Sequence, residues 1–404
     1  MIEKLSKILE QGKKPIIVIY FLLFALYVFS RTSGGGDEAL FINDLKLIQT
    51  QGWIAAIKKS ISIPYMLLAY PLSFLFTNII ALRLTNIALL GLLFLYFRRK
   101  KITPDFYWLL LFFIPAADYF LKGTNDAVFF IGLIIFFYEV YLLTIDKESE
   151  ITLGVLGLVL CFFTRELFLV FMPAIFLGFL VIYRKGQLKS IKLKYVVPLI
   201  GVFLLFNIPS LEANHKLSYD FKSPPKEGQA TWAQLQYLAQ LMVNEGKLEN
   251  HSHPSWDTTE KYLKEHGPNS LPKGILDGLF FDFGLTVKEF FKDFGEVCFY
   301  GFRQMSLMFY FPFLALFLIF KNKKATWENC FLPLVFFMVI SIFSFIIISY
   351  VELRWLSPVF ILAIAYYSDR DLGNEFIKKY SFLNTLLLIT ICFYGSFKLI
   401  NKLV

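Results

Sequence analysis

The chain contains eleven apolar segments that are suited to cross a lipid bilayer as helices. A membrane-spanning helix needs roughly 17–25 predominantly apolar residues, and the segments approach that length once their ends extend into the interface. They are residues 15–30, 79–97, 104–120, 126–145, 151–164, 166–183, 194–209, 304–320, 329–349, 355–368 and 381–399. This pattern predicts an all-α polytopic membrane protein with about eleven transmembrane helices.

The composition excludes the other broad classes of protein. The 404 residues are 57% hydrophobic and 18% charged, whereas a soluble globular chain is about half apolar and about a quarter charged. Such high hydrophobicity excludes intrinsic disorder. Only 4 cysteines are present, which is too few to indicate a disulfide framework.

The positive charge is concentrated in short runs between apolar segments. The net charge is +9, residues 210–303 carry 10 Lys/Arg and 13 Asp/Glu, and the remaining chain therefore carries +12. The basic runs lie at residues 4–14, 98–101, 184–194 and 321–324. They fall on one side if the N-terminus is cytoplasmic, as the positive-inside rule requires. This distribution indicates a bilayer partner and argues against nucleic-acid binding.

One apolar segment, residues 61–77, is not predicted to cross the membrane. Pro64 and Pro71 interrupt it, and proline breaks a helix interior. We interpret it as an interfacial or re-entrant helix on the outer surface, within a first outer loop of residues 31–78. The first apolar segment follows basic residues as in a signal peptide, but no small-residue cleavage site is evident, so it is interpreted as an uncleaved span.

The second outer region, residues 210–303, is too long for a simple connector. Its sequence predicts one helix within residues 231–249 and another that opens near Asp257. The predicted organisation is therefore an N-terminal transmembrane module (1–209), an extracytoplasmic loop region (210–303) and C-terminal transmembrane helices (304–404).

Ionisable residues at the outer ends of the spans are the candidates for function. Burial at membrane depth costs several kcal/mol unless the group is paired or hydrated, so such residues are rare. The set comprises Asp37, Glu38, Asp118, Lys122, Asp126, Arg165, Glu166, Glu352 and Arg354. The alternative for each is an ion pair between helices or a headgroup contact at the end of a span.

The sequence Gly34-Gly35-Gly36-Asp37-Glu38 directly follows the first span. Glycine lets the backbone approach a ligand closely, and the two carboxylates are expected to open a helix. One interpretation is a helix cap. The other is a general base at the membrane surface, which deprotonates an acceptor hydroxyl or amine.

Three cations are candidates for binding a phosphate. Arg165 and Arg354 lie at outer breaks between spans, and a guanidinium offers permanently charged, bidentate contacts. Lys122 supplies a third positive group. Cations at one surface with carboxylates between them favour a phosphorylated lipid and an acid–base pair, whereas transporters place their charges nearer the bilayer midplane.

A metal site is not indicated by any motif. The four histidines, His215, His251, His253 and His266, all lie in the large outer loop, and their spacing matches no standard motif. The requirement for a cofactor therefore stays open, with a divalent cation as one option. No P-loop is present either, which argues against ATP-driven transport by this chain alone.

Five segments together resemble the GT-C superfamily of integral-membrane glycosyltransferases, such as the protein O-mannosyltransferases and the aminoarabinose transferases of lipid A. They are GGGDEALFINDLKLI, SIPYMLLAYPLSFLF, DYFLKGTNDAVFF, CFFTRELFLVFMPAI and ELRWLSPVF. Their order and their membrane side agree with the family. Two departures occur: Arg165-Glu166 stands where Lys-Gly is usual, and Trp355 stands in place of Tyr.

The resemblance implies transfer of a sugar from a polyprenyl-phosphate-linked donor on the extracytoplasmic face. It makes Asp37 the candidate catalytic base with Glu38 beside it, and gives Asp126 an assisting role. Arg354, Arg165 and Lys122 are then expected to hold the donor phosphate. Asp118 and Glu352 are candidates for contacts with the acceptor or a metal ion. The acceptor is a lipid, a glycan or a protein.

Two other functions remain alternatives. One is an O-antigen or capsule polymerase or ligase, and the other is a transporter or flippase without catalysis. The high Phe, Ile and Lys content is typical of an AT-rich bacterial genome and favours a bacterial inner-membrane protein with an active site facing the periplasm. A protein of the endoplasmic reticulum would have the same topology.

Overall fold

The computed structural model describes residues 2–219, 230–323, 325–369 and 375–403, which are helical throughout their regular structure and contain no strand. Residues 220–229 of the predicted outer loop and Lys324 of one basic run lie outside the described residues. The helices are α1 (Ile2–Ser30), α2 (Asp37–Lys58), α3 (Ile63–Ala69), α4 (Asn78–Arg99), α5 (Pro104–Ala117), α6 (Asp126–Thr144), α7 (Ile151–Thr164), α8 (Phe168–Arg184), α9 (Leu193–Asn214), α10 (Trp232–Asn244), α11 (Trp256–His266), α12 (Ile275–Phe281), α13 (Phe283–Met305), α14 (Phe311–Lys321), α15 (Trp327–Phe345), α16 (Ser357–Asp369) and α17 (Glu375–Leu403).

The described helices include several that are long and apolar enough to cross a membrane. Five meet the requirement alone: Gln11–Ser30, Asn78–Arg99, Asp126–Thr144, Leu193–Asn214 and Lys379–Leu403. A sixth span results if the bent pair Phe283–Phe309 and Phe311–Lys321 is counted as one. The prediction of an all-helical chain is confirmed for the described residues, and these long apolar helices are compatible with a polytopic membrane protein; the count of eleven stays a prediction.

Several of the remaining apolar helices are short. Ile151–Thr164, for example, has 14 residues, and at about 1.5 Å per residue it covers only about 21 Å of a bilayer core that is about 30 Å thick. Helices of this kind need their neighbours, or the adjoining turns, to complete a crossing.

The chain divides into two compact units. The first unit comprises residues 1–220, 301–337 and 354–404, and the second unit comprises residues 221–300 and 338–353. The second unit is therefore built mainly from the predicted outer loop. It also includes the last turns of α15 and the segment that follows this helix.

Helix α6 forms the centre of the first unit. Its residues are apolar on every side and mostly buried, which is the pattern of a helix surrounded by other helices. Glycines allow α7 to approach it closely, because a Cβ atom at Gly132 would lie 2.4 Å from the carbonyl oxygen of Gly157. Small residues have this role in many membrane helix pairs. The central position of α6 fixes Asp126, its first residue.

The segment with two prolines forms a short helix and turn. Helix α3 has Pro64 in its first turn, where the missing N–H costs nothing, and a 3₁₀ turn, Tyr70–Phe74, follows. The last residue of this turn, Phe74, and the next two residues, Leu75 and Phe76, are exposed. The segment is too short to span a bilayer, as expected of an interfacial element.

The second unit contains the two helices predicted from the loop sequence. Helix α10 is closed at its start by a capping box between Thr231 and Gln234. Helix α11 is capped by Ser255, whose side chain accepts the backbone N–H of Thr258, and Asp257 lies in its first turn. Both predictions are confirmed.

Candidate functional site

The candidate site begins where the glycine-rich turn enters α2. Gly36 is the residue that precedes the helix and has φ 60°, a left-handed conformation that favours glycine. Asp37 and Glu38 occupy the first turn, where the helix dipole stabilises negative charge. The cap position therefore belongs to Gly36, and both carboxylates remain available for contacts with other helices.

Glu38 forms a closed pair with Arg83 of α4. Arg83 donates from Nε to Oε1 and from Nη2 to Oε2, each at 2.8 Å, and the Gly123 backbone N–H donates to Oε1 at 2.8 Å. The side chains of Glu38 and Arg83 are only 4% and 2% exposed. Arg83 also donates from Nη1 to the carbonyl oxygens of Val28 and Arg31. We call this arrangement the closed pair.

Asp37 contacts a different arginine. Its Oδ2 lies 2.5 Å from Nη2 of Arg354, and Nη1 of Arg354 lies 3.5 Å from Oδ2 of Asp126. Arg165 forms an ion pair with Oδ1 of Asp126, and Thr124 donates its hydroxyl to Oδ2 of Asp126 at 3.1 Å. We call the four charged side chains Asp37, Arg354, Asp126 and Arg165 the arginine–aspartate network.

Four separate elements bring this network together. Asp126 opens α6, Arg165 follows the last residue of α7, and Arg354 lies in a 3₁₀ turn, Leu353–Leu356, directly before α16. Asp37 opens α2. Each residue stands at the end of a helix, where a short turn can aim a charged side chain inward without disturbing an apolar span.

The network is partly accessible, unlike the closed pair. Asp126 is 2% exposed, but the side chains of Asp37 and Arg165 are 17% and 20% exposed. Asp126 therefore holds two guanidinium groups from within the protein. Arg165 and Asp37 can reach a ligand, whereas Arg354, which is 8% exposed, is covered and contacts Asp37 directly. Two arginines and two carboxylates balance in charge, so an anionic ligand binds an arginine here by displacing a carboxylate from it.

Lys122 and Asp118 lie beside the network. They pair with each other at 2.7 Å and are both partly exposed. The ring of Tyr119 is within 5.4 Å of the Lys122 ammonium and 5.6 Å of the Arg354 guanidinium, which are distances typical of cation–π contacts. Tyr119 thus brings the lysine close to the network, and Asn86 holds the same loop by donating to the carbonyl oxygen of Thr124.

Another candidate, Glu352, and three of the four histidines are assigned to the second unit. Glu352 is part of the second unit, and its role stays a prediction. In that unit His251 and His253 pack against Tyr350, and His266 stacks on Tyr262. Among the described residues, no group of three or more His, Cys, Asp or Glu is arranged to hold a metal ion.

The negative charge of Glu166 affects one neighbouring phenol. Burial, and then the charge of Glu166, raise the pKa of Tyr219 to about 12. Tyr219 therefore keeps its proton at neutral pH and acts there as a hydrogen-bond donor.

Sequence reasoning overlooked Arg83. A signal was present, since an arginine within an apolar span is costly unless it is paired, and Arg83 lies six residues into the span Asn78–Arg99. Its partner, however, is 45 residues away in the sequence, and only the packing of α2 against α4 reveals the pair.

The opposite helix ends of the first unit carry ion pairs of a different character. Glu139 is fully buried and contacts the Lys100 ammonium and the Tyr96 hydroxyl, each at 2.8 Å. Lys13 is buried against Asp105 at 2.8 Å. These contacts tie neighbouring helices together at the basic end, where the lysine and arginine runs lie.

Chemically, the network combines a partly exposed carboxylate with two arginines suited to bind a phosphate. Comparison of the chain with protein-family models, with curated proteins and with solved structures finds no match. The charges, contacts and burial of the site are therefore what points to a function.

Proposed function

We propose that the protein is a membrane glycosyltransferase that moves a sugar from a polyprenyl-phosphate-linked donor to an acceptor hydroxyl or amine. The observation that carries the proposal is the position of Arg354, which contacts both the partly exposed Asp37 and the buried Asp126. One arginine thereby links a candidate base to a candidate phosphate site.

Arg354 and Arg165 are suited to hold the donor phosphate. A guanidinium binds phosphate oxygens through charge-assisted, bidentate hydrogen bonds, and Asp126 keeps both guanidinium groups in place from its buried position. As the bond to the sugar breaks, negative charge grows on the phosphate, and fixed positive groups stabilise that charge. Lys122 adds a weaker, more mobile cation nearby.

Asp37 is suited to accept the acceptor proton. In the proposed step the acceptor oxygen or nitrogen forms a bond to the anomeric carbon and the bond from that carbon to the phosphate oxygen breaks. The acceptor proton passes to the Asp37 carboxylate, and polyprenyl phosphate leaves with the bonding electron pair. Donor phosphate competes with Asp37 for Arg354, so donor binding releases the carboxylate for proton transfer.

Glu38 has a different proposed role from Asp37. Its two oxygens are both engaged by Arg83, and Oε1 also accepts from Gly123. We assign it to the architecture that fixes α2 against α4. Asp118 is more accessible than Glu38 and stays a candidate for acceptor contact.

The proposed membrane setting follows from the charge distribution. The basic runs predict that the opposite helix ends, where the network lies, face the extracytoplasmic side. A bacterial inner membrane with the network facing the periplasm fits this orientation and a lipid-linked donor. Lipid, glycan and protein acceptors are all compatible with an accessible carboxylate.

The proposal is tested by binding of polyprenyl phosphate to the full chain in lipid nanodiscs. The variant Arg354→Gln should weaken binding by about 10-fold or more, because a hydrogen bond to a charged group contributes about 1.5–3 kcal/mol. Arg354→Lys keeps the charge but loses the bidentate geometry. Its affinity for polyprenyl phosphate should lie between that of the wild type and that of Arg354→Gln. Arg99→Gln removes an exposed arginine at the basic end and should bind as the wild type does.

Polyprenol without phosphate serves as the second probe. Binding that is equal for polyprenol and polyprenyl phosphate, or equal for the wild type and Arg354→Gln, would overturn the phosphate site. Phosphate-dependent binding with movement of the lipid across the membrane and no sugar transfer would replace the transferase with a transporter.

A further inference from the structure

Helices α12 and α13 of the second unit carry a row of exposed apolar side chains. Leu276 and Phe280 of α12 and Phe283 and Phe291 of α13 are between 67 and 79% exposed. Val287 and Phe299 continue the row on α13, at steps of four or eight residues. We call these six residues the aromatic stripe.

The opposite face of α13 is polar and buried. Glu289 and Asp293 are each 1% exposed, and Thr286 on the same face is also buried. Glu289 accepts hydrogen bonds from Gln240 at 2.8 Å and from Asn244 at 2.7 Å, both on α10. The helix therefore turns two carboxylates toward the protein, together with the buried Val297 and the Phe290 ring that stacks on Phe345, and leaves the side chains of the stripe exposed.

An exposed apolar stripe opposite two buried carboxylates departs from the arrangement that water favours. A surface helix in water buries its apolar stripe and exposes its charges, and large exposed apolar patches mark contacts with a membrane or another protein. The chain itself indicates which of these applies. Residues Phe283–Phe309 together with Phe311–Lys321 are apolar enough to form a membrane span that is bent by 61°, so the stripe is continuous along the chain with a candidate membrane span.

We propose that α12 and the first part of α13 lie in the membrane interface, with the aromatic stripe immersed in lipid. Lys288 is exposed beside Val287, where a lysine can extend its ammonium to the headgroups. Amphipathic helices bind at this depth with their aromatic residues toward the acyl chains. The inference assigns a lipid surface as the partner of the second unit, and it stands whether or not the protein transfers a sugar.

The test places an environment-sensitive fluorophore on single cysteines of the full chain in liposomes. The labelled variants are Phe283→Cys and Phe291→Cys on the stripe, and Lys261→Cys on α11 as a matched control on a strongly exposed polar position. Cys298 is replaced by Ser throughout, because it is the described cysteine that is not buried. Quenching is measured with doxyl-labelled lipids and with aqueous iodide.

We expect lipid quenchers to reduce the fluorescence at positions 283 and 291 at least threefold more than at position 261, and iodide to show the reverse order. Iodide quenching at the stripe equal to that at position 261 would show that the stripe faces water, and would overturn the proposal. Protection of the labelled positions from both quenchers, together with oxidative disulfide cross-linking between copies of the unlabelled Phe291→Cys variant, would overturn it in favour of a second copy of the chain.

Discussion

Asp37 and Glu38 are neighbours in the sequence, yet they belong to two ion-pair regions of different character. Glu38 and Arg83 form a pair with both members almost fully buried and with both carboxylate oxygens engaged. Asp37 is partly exposed and shares Arg354 with Asp126. The type of residue therefore does not separate a fully engaged carboxylate from an accessible one. The exposed fraction of the side chain and a partner shared with a second carboxylate do.

Helix geometry explains the divergence. Consecutive residues on an α-helix point about 100° apart, since 3.6 residues complete a turn. Glu38 is thereby directed to α4 and the loop at Gly123, while Asp37 is directed to the turn before α16. A single adjacent pair of acids can thus fix the position of α2 and present a base beside it.

The largest expected effect is that of Asp37→Asn on turnover. The amide keeps the shape but cannot accept the acceptor proton, so transfer should fall by about 10²–10⁴-fold, the range that general-base catalysis contributes. Donor affinity should be unchanged or higher, because the phosphate no longer competes with a carboxylate for Arg354. Single-turnover transfer from a panel of polyprenyl-phosphate sugars measures both quantities.

The matched control for this change is Asp146→Asn at the opposite helix ends. Asp146 is 80% exposed and pairs with Lys185, so its loss should leave transfer unaffected. Full transfer activity in Asp37→Asn would show that Asp37 is only a structural residue at the start of α2.

The closed pair should respond in stability rather than turnover. Glu38→Gln leaves the Arg83 charge buried without its counter-charge, and breaking a buried pair costs about 3–5 kcal/mol. The free energy of unfolding in detergent measures this loss. Replacing both members, with Glu38→Met and Arg83→Met together, should restore much of the stability, because it removes both buried charges. A stable Glu38→Gln variant with strongly reduced turnover would reverse the roles assigned to the two acids.

Gly123 gives a milder way to disturb the closed pair. A Cβ atom there would lie 2.4 Å from Cβ of Leu82 and 3.3 Å from Oε1 of Glu38, so Gly123→Ala should destabilise the protein by about 1–3 kcal/mol, as overpacking does. Gly35→Ala is the control, because no heavy atom lies within 4 Å of the corresponding Cβ position. Equal stability of the two variants would mean that the loop at Gly123 moves freely away from α4.

Much of the network could be predicted from the sequence because its members are charges at the ends of apolar segments. Asp37, Asp126, Arg165 and Arg354 were all identifiable in this way, and the cost of burying charge explains why so few candidates exist. The partners were not predictable. Asp37 and Arg354 are more than 300 positions apart, and their contact depends on how helix ends pack.

Which face of α13 is buried also could not be predicted from the sequence. Its phenylalanines and acids both recur at helical spacing, so the pattern predicts an amphipathic helix but not which face is buried. The usual rule places the apolar face inward, and Glu289 on the buried face shows the opposite. Periodicity identifies two faces, whereas the surrounding solvent decides their orientation.

Lys122→Gln should have the smallest effect and sharpens the boundary of the network. Lys122 is partly exposed and already paired with Asp118, and exposed pairs contribute about 0.2–1 kcal/mol. Polyprenyl phosphate affinity should therefore fall less than about fivefold, and the difference from the wild type should shrink further in high salt because exposed charges are screened. A loss as large as that of Arg354→Gln, persisting at high salt, would make Lys122 a direct phosphate ligand. The donor site would then include both the 28% exposed Lys122 on one side of Tyr119 and the 8% exposed Arg354 on the other, and the degree of exposure would not separate the residues that bind the donor from those that surround it.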